Sequence, residues 1–146
     1  MNRRLLACAA AVTALFAGTA VMAQSDVIKQ RQAILKGFGD VTKPVGGMLR
    51  GNAAFDLATV QKALDAYAKG GKELPALFPA GSGTGDTGAL PAVWQDQAKF
   101  DGLFAKLASD ATAARAAITD EASFKANFPG VIRTCGTCHD SFRKKS

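Results

Sequence analysis

The sequence holds one histidine, one tryptophan and one tyrosine among 146 residues. With a single histidine, no site built from two imidazoles can form, whether a paired metal site or one in which a second imidazole moves protons. Three cysteines are few for a disulfide scaffold. Period-two alternation of β-branched residues is absent, so no segment reads as a strand, and no internal repeat is found. Basic residues are scattered apart from Arg143, Lys144 and Lys145 at the C-terminus. That distribution does not indicate a nucleic-acid surface, and three cations there suit the end of a helix.

What is present begins with a leader. Arg3 and Arg4 precede an alanine-rich apolar run from Leu5 to Val21, and Val21-Met22-Ala23 places small residues where a signal peptidase needs them. Residues 1–23 read as a cleaved secretory signal peptide. As a retained anchor the run is short for a span of roughly 20 residues, and no other stretch could cross a bilayer, so no stable membrane anchor is expected. Cys8 precedes most of the apolar run that a lipid-attachment site should follow, and it leaves with the leader. Residues 24–146 then form one domain, with 16 basic and 12 acidic residues and a net charge of +4. Cys135 and Cys138 are the cysteines that remain, in a compartment that favours oxidation.

The mature segment reads as four helices. From Val27, the positions Ile34, Leu35, Phe38, Val41, Val45, Met48 and Leu49 follow helical spacing, with Pro44 placed to kink the helix. Asp56 is the expected N-cap of a second helix carrying Leu57, Val60, Leu64 and Tyr67, weakened by Gly70-Gly71 and ending near Pro75. Residues 79–88, PAGSGTGDTG, form the long loop. Pro91 suits the first turn of a third helix with the stripe Phe100, Leu103, Phe104, Leu107, Ala111, Ala114 and Ile118. The fourth starts near Thr119 or Asp120, with Phe124, Phe128, Ile132, Cys135, His139 and Phe142 inward. Pro129-Gly130 is compatible with either a kink or a fresh start there. Short connections make neighbours antiparallel, so the expected fold is all-α, an up-and-down four-helix bundle able to house a cofactor.

Cys135-Gly136-Thr137-Cys138-His139 carries the chemistry. Two thiols at this spacing add across the vinyl groups of a haem to make thioethers, and the adjacent histidine is delivered to the iron. On a helix the three residues share a face. Structural zinc usually wants four protein ligands, and two cysteines with one histidine fall short. A thioredoxin-like pair normally follows a strand, whereas these surroundings are helical. The reading is one covalent haem c per chain, with His139 the iron ligand.

The C-terminal CGTCHDSFRKK, QRQAIL on the first helix, and the glycine-rich loop leading to LPAVW resemble cytochrome c′ across essentially the whole mature chain. The resemblance implies a periplasmic homodimer with the haem motif on the fourth helix and iron that is normally five-coordinate. Arg31 and Gln32 match the pair that lines the haem edge, and Leu35 takes the distal position, where the low-spin relatives have methionine. Arg143 matches the proximal arginine, although its place alone also suits a helix-terminal cation. Arg31 likewise suits a solvated charge. Thr84 and Asp86 in the loop are further candidates for the haem edge. Phe142 stands where the family often has tyrosine, and Pro129 departs from a continuous fourth helix. Trp94 reads as core packing.

Met48 lies 13 residues beyond Leu35, roughly 20 Å along a continuous helix, too far for both to face one iron. The expected function is a five-coordinate, high-spin protein that takes nitric oxide or carbon monoxide at an apolar face and can take part in electron transfer with a partner protein. An apolar leucine gives no hydrogen bond of the kind that bound dioxygen uses. The alternative is a dedicated low-spin electron carrier of the same bundle family. An enzyme is not expected.

Overall fold

In the computed structural model, residues 3–145 are described, with side chains from Ser25 to Lys145. Five α-helices follow one another: α1 (Arg3–Leu49), α2 (Leu57–Glu73), α3 (Ala92–Gln95), α4 (Gln97–Ala117) and α5 (Glu121–Phe142), with a 3₁₀ turn at Leu74–Leu77 after α2. Among the described residues the sole β feature is one isolated antiparallel bridge, Ala89 to Arg143. The four long helices make the expected bundle. No described helix is long and apolar enough to cross a membrane.

Local chemistry explains the boundaries. Asp56 caps α2, its carboxylate accepting from the amides of Ala58 and Thr59. Asp120 caps α5 through a capping box in which Ser123 reciprocates. The helix expected from Val27 runs back to Arg3, because the alanine- and leucine-rich residues before it are strong helix formers. The side chains of the expected leader, Cys8 among them, lie outside the described residues. The third helix is two pieces rather than one: Asp96 adopts φ −131°, ψ 55° and turns its side chain to the amide of Lys99, so α3 ends and α4 starts on the same residue. Pro44 and Pro129 both sit inside continuous helices.

Gly70 and Gly71 lie within α2 rather than fraying it, because both are contact points. A Cβ on Gly70 would meet the Phe38 ring at 2.5 Å and Ile34 at 2.9 Å, and one on Gly71 would meet the Phe104 carbonyl oxygen at 2.9 Å. Their bare backbone lets α2 approach α1 on one side and α4 on the other. One core joins Val45 and Met48 of α1 to Val60, Leu64 and Tyr67 of α2, Leu107 and Ala111 of α4, and Phe124, Phe128 and Val131 of α5. A second, aromatic core holds Leu74, Phe78, Val93, Phe100, Phe104 and Phe142, with Ile34 and Cys138 against it.

Around the ring of helices, α1 packs on α2, α2 on α4 and α4 on α5. The remaining adjacent pair, α5 with α1, makes no comparable interface among the described residues. The α1–α5 seam is therefore the widest between backbones, an open edge bridged by side chains of the first core.

Candidate functional site

The open edge is where the motif residues lie. Cys135 and Cys138 are half-buried free thiols on α5, and His139 is exposed one step further on. Burial raises the pKa of both thiols, Cys138 to about 11, with the nearby Cys135 charge adding to its shift. Both are therefore S–H groups near neutral pH. His139, expected to point inward, is at the surface. Partial desolvation and then the charge of Arg143 lower its pKa, with Asp140 opposing. Those influences favour the neutral imidazole, the form that binds metal.

On α1, Ile28, Arg31, Leu35 and Thr42 fall at helical spacing on one face. Ile28 and Arg31 are buried, at 5% and 2% exposure, and Thr42 is half-buried. Leu35, between them, is 37% exposed, the one large apolar side chain so exposed among the described residues. Thr42 shares a 2.5 Å hydrogen bond with the hydroxyl of Tyr67. Tyr67 is fully buried, stands edge-on to Phe38 and near Phe128, and is close enough to Cys135 to feel its charge.

Arg31 and Gln32 meet the glycine-rich loop. Arg31 Nη1 donates to the Leu77 carbonyl (3.1 Å) and Ser82 Oγ (2.9 Å), and Nη2 to the Ser82 carbonyl and Thr87 Oγ1, both 2.8 Å. Its guanidinium lies 4.4 Å from the centroid of the Phe78 ring. Four of its five N–H donors are thus engaged by two carbonyls and two hydroxyls, and burial lowers its pKa. Gln32 Nε2 donates to the Asp86 carbonyl at 2.9 Å. Asp86 and Thr84 are exposed on this loop, whose turns use left-handed backbone at Gly81 (φ 84°) and Gly85 (φ 91°).

Arg143 caps α5, its amide donating to the His139 carbonyl at 3.4 Å. The residue ends the helix, and its charge adds to desolvation in lowering the imidazole pKa. Met48 is buried in the first core, whereas Cys138 packs on the second. Trp94 donates its indole N–H to the carbonyls of Phe78 and Pro79 and packs near Phe78.

The structure brings Arg31, Gln32 and Asp86 together around the loop. Leu35 is on α1 and Cys135, Cys138 and His139 are on α5, the two helices of the widest seam. Tyr67, Thr42, Ser82, Thr87 and Lys144 were not singled out from the sequence as site residues. Tyr67 is visible there as the sole tyrosine on a core stripe, but which helix seam it faces follows only from packing. Hydroxyls in a glycine-rich loop carry no signal of what they will accept.

An antiparallel helical bundle with C-x-x-C-H on its last helix, its two thiols free and half-buried, defines a c-type haem protein. Comparison with known proteins agrees: the family model for cytochrome c′ matches residues 26–143. The chain is 59% identical to the cytochrome c′ of Rhodopseudomonas palustris over 141 residues, 96% of each chain. A solved structure of cytochrome c′ from that organism superposes with a TM-score of 0.80 at 61% identity, covering 83% of this chain and 98% of the other. A cytochrome c-556 of the same organism is 33% identical over 132 residues, 87% of this chain and 89% of the relative. The chain belongs to the cytochrome c′ family, and its cofactor is covalently bound haem c.

Proposed function

We propose that residues 24–146 form a periplasmic haem protein in which Cys135 and Cys138 carry the thioethers and His139 holds the iron, the opposite face being open, apolar and bordered by Leu35. When bound, the haem supplies one iron coordination position for a diatomic gas and a ferric/ferrous couple for electron transfer. The chain's own residues do the rest. Leu35 excludes water and offers no hydrogen bond, which suits nitric oxide or carbon monoxide better than dioxygen. Arg143 and partial burial keep His139 neutral. Arg31 and Gln32 hold the glycine-rich loop, and the polar groups engaging Arg31 keep its charge solvated within the protein.

The observation that carries this reading is the exposure of Leu35 on an otherwise buried ridge of α1. Met48 belongs to the other core, which speaks against methionine ligation and so for five-coordination. Export is supported by the leader at residues 1–23 and by the family match starting at residue 26. A homodimer and the absence of enzymatic turnover complete the proposal.

The test is the absorption and electron spin resonance spectra of purified protein with and without nitric oxide. A high-spin ferrous spectrum that shifts on nitric oxide addition is expected. Low-spin spectra in both oxidation states would instead favour the dedicated electron carrier, a reading kept in view by the c-556 relative. Leu35→Met should move the spectrum toward six-coordinate low-spin, and no change would refute the proposed register of α1.

A further inference from the structure

The glycine-rich loop is bonded to both helices of the widest seam, α1 and α5. On one side it takes Arg31 and Gln32 of α1. On the other it takes the end of α5: the Leu90 amide donates to the Phe142 carbonyl (2.9 Å), the Lys144 amide to the Gly88 carbonyl (2.8 Å), and Ala89 bridges Arg143. The two sets of bonds converge on one residue. Thr87 Oγ1 accepts from Arg31 Nη2 at 2.8 Å and from the Ala89 amide at 3.2 Å, while the Thr87 carbonyl accepts Lys144 Nζ at 3.0 Å.

We infer that Thr87 is the positioning residue for His139, tying the last turn of α5 to the buried guanidinium of α1 across the open edge. The inference rests on the proposed haem attachment. Its physical basis is continuity: the Arg143 amide donates to the His139 carbonyl, and Arg143 is itself bridged to the loop that Thr87 anchors. Without the Thr87 hydroxyl, one donor of a buried cation loses its acceptor and the Ala89 amide loses a local partner. The loop then keeps only its backbone bonds to the end of α5 and the Lys144 Nζ bond to the Thr87 carbonyl.

Three holoproteins test this: wild type, Thr87→Val, which keeps the branched shape and removes the hydroxyl, and Thr87→Ser, which restores it. The expected result for Thr87→Val is faster amide hydrogen exchange at Leu90 and Lys144, by up to about tenfold for one lost hydrogen bond. A shifted, broadened iron–histidine stretching band in the resonance Raman spectrum of the ferrous protein should accompany it. Thr87→Ser should return both toward wild type. Unchanged exchange in Thr87→Val would overturn the inference. So would faster exchange with an unmoved iron–histidine band, since the tie would then shape the loop without reaching the imidazole. Wild-type protein whose mass lacks covalent haem would overturn the attachment reading beneath it, an outcome read before any variant is compared. If Thr87→Val fails to fold, Lys144→Ala removes the other side-chain bond to Thr87 from the exposed side, and the same two measurements apply.

Discussion

Replacing Gly70 with alanine sets two opposing effects against each other at one atom. Alanine is the better helix residue by about 1 kcal/mol, so in an open helical position the change should stabilise. At Gly70 the new methyl would stand 2.5 and 2.6 Å from the Phe38 ring and 2.9 Å from Ile34, inside the distances real Cβ atoms keep. The ring is half-buried and edge-on to Tyr67, so it can yield only by opening the α1–α2 seam or leaving its stacking partner. Overpacking of this kind costs about 1–3 kcal/mol, leaving Gly70→Ala net destabilising by about 0–2 kcal/mol. Gly71→Ala should be worse, because its methyl meets the Phe104 carbonyl and the Ala108 backbone, which cannot rotate aside. Gly102→Ala in α4 has nothing within 4 Å of the new methyl and should gain about 0.5–1 kcal/mol. Guanidinium unfolding of the three holoproteins, followed by helical circular dichroism, gives the order Gly102→Ala above wild type, then Gly70→Ala, then Gly71→Ala. A Gly70→Ala protein as stable as Gly102→Ala would refute the idea that these glycines set the helix spacing.

Arg31→Met should destabilise by about 3 kcal/mol, since it strands two hydroxyls and two carbonyls at once, and a midpoint within 0.5 kcal/mol of wild type by the same unfolding assay would contradict the network. Pro129→Ala should stabilise by about 1–3 kcal/mol, because α5 is continuous there and the amide restored can join the helix ladder; a loss of stability would mean the proline shapes the helix usefully. Asp120 has its pKa lowered by the Ser123 amide and then the Ser123 hydroxyl. A depressed carboxylate contributes stability above its unfolded-state pKa and loses it as pH falls through the folded one, so acid should fray the start of α5 below about pH 4. Asp120→Asn should flatten that part of the acid-unfolding profile, and an unchanged profile would exclude the cap as its source.

The four long helices, the cap at Asp56, the start of the last helix near Asp120 and the haem motif were legible in the sequence because each rests on local chemistry: apolar spacing, an oxygen near an amide, or thiols on one turn. The split at Asp96 was hidden, since a proline at the start and a clean apolar stripe also describe one unbroken helix. The role of Gly70 and Gly71 was hidden for a different reason. Intrinsic propensity counts a mid-helix glycine as a weakness, and only the position of Phe38 and Phe104 turns it into a socket. Arg31 and Gln32 were found through resemblance to a family, but their hydrogen bonds to Ser82, Thr87 and Asp86 depend on loop geometry 50 or more residues away in sequence.

The exposed or strained features of the described chain are not spread evenly. Leu35 is exposed on α1, His139 sits at the surface of α5 with Cys135 and Cys138 half-buried near it, and α1 and α5 form the widest seam. Elsewhere the aromatic side chains interlock and the glycines allow close approach, so the sequence is capable of full packing where packing is wanted. On the proposed reading the α1–α5 edge is the place for the haem, because apolar surface held in water there, Leu35 above all, gains free energy when something apolar arrives. On the same proposed reading, two walls flank the haem. The α5 wall offers attachment and an imidazole, fixed through Arg143 and the loop. The α1 wall offers a leucine with no donor, so selectivity among diatomic gases on the proposed reading is decided by what Leu35 withholds rather than by any contact it makes.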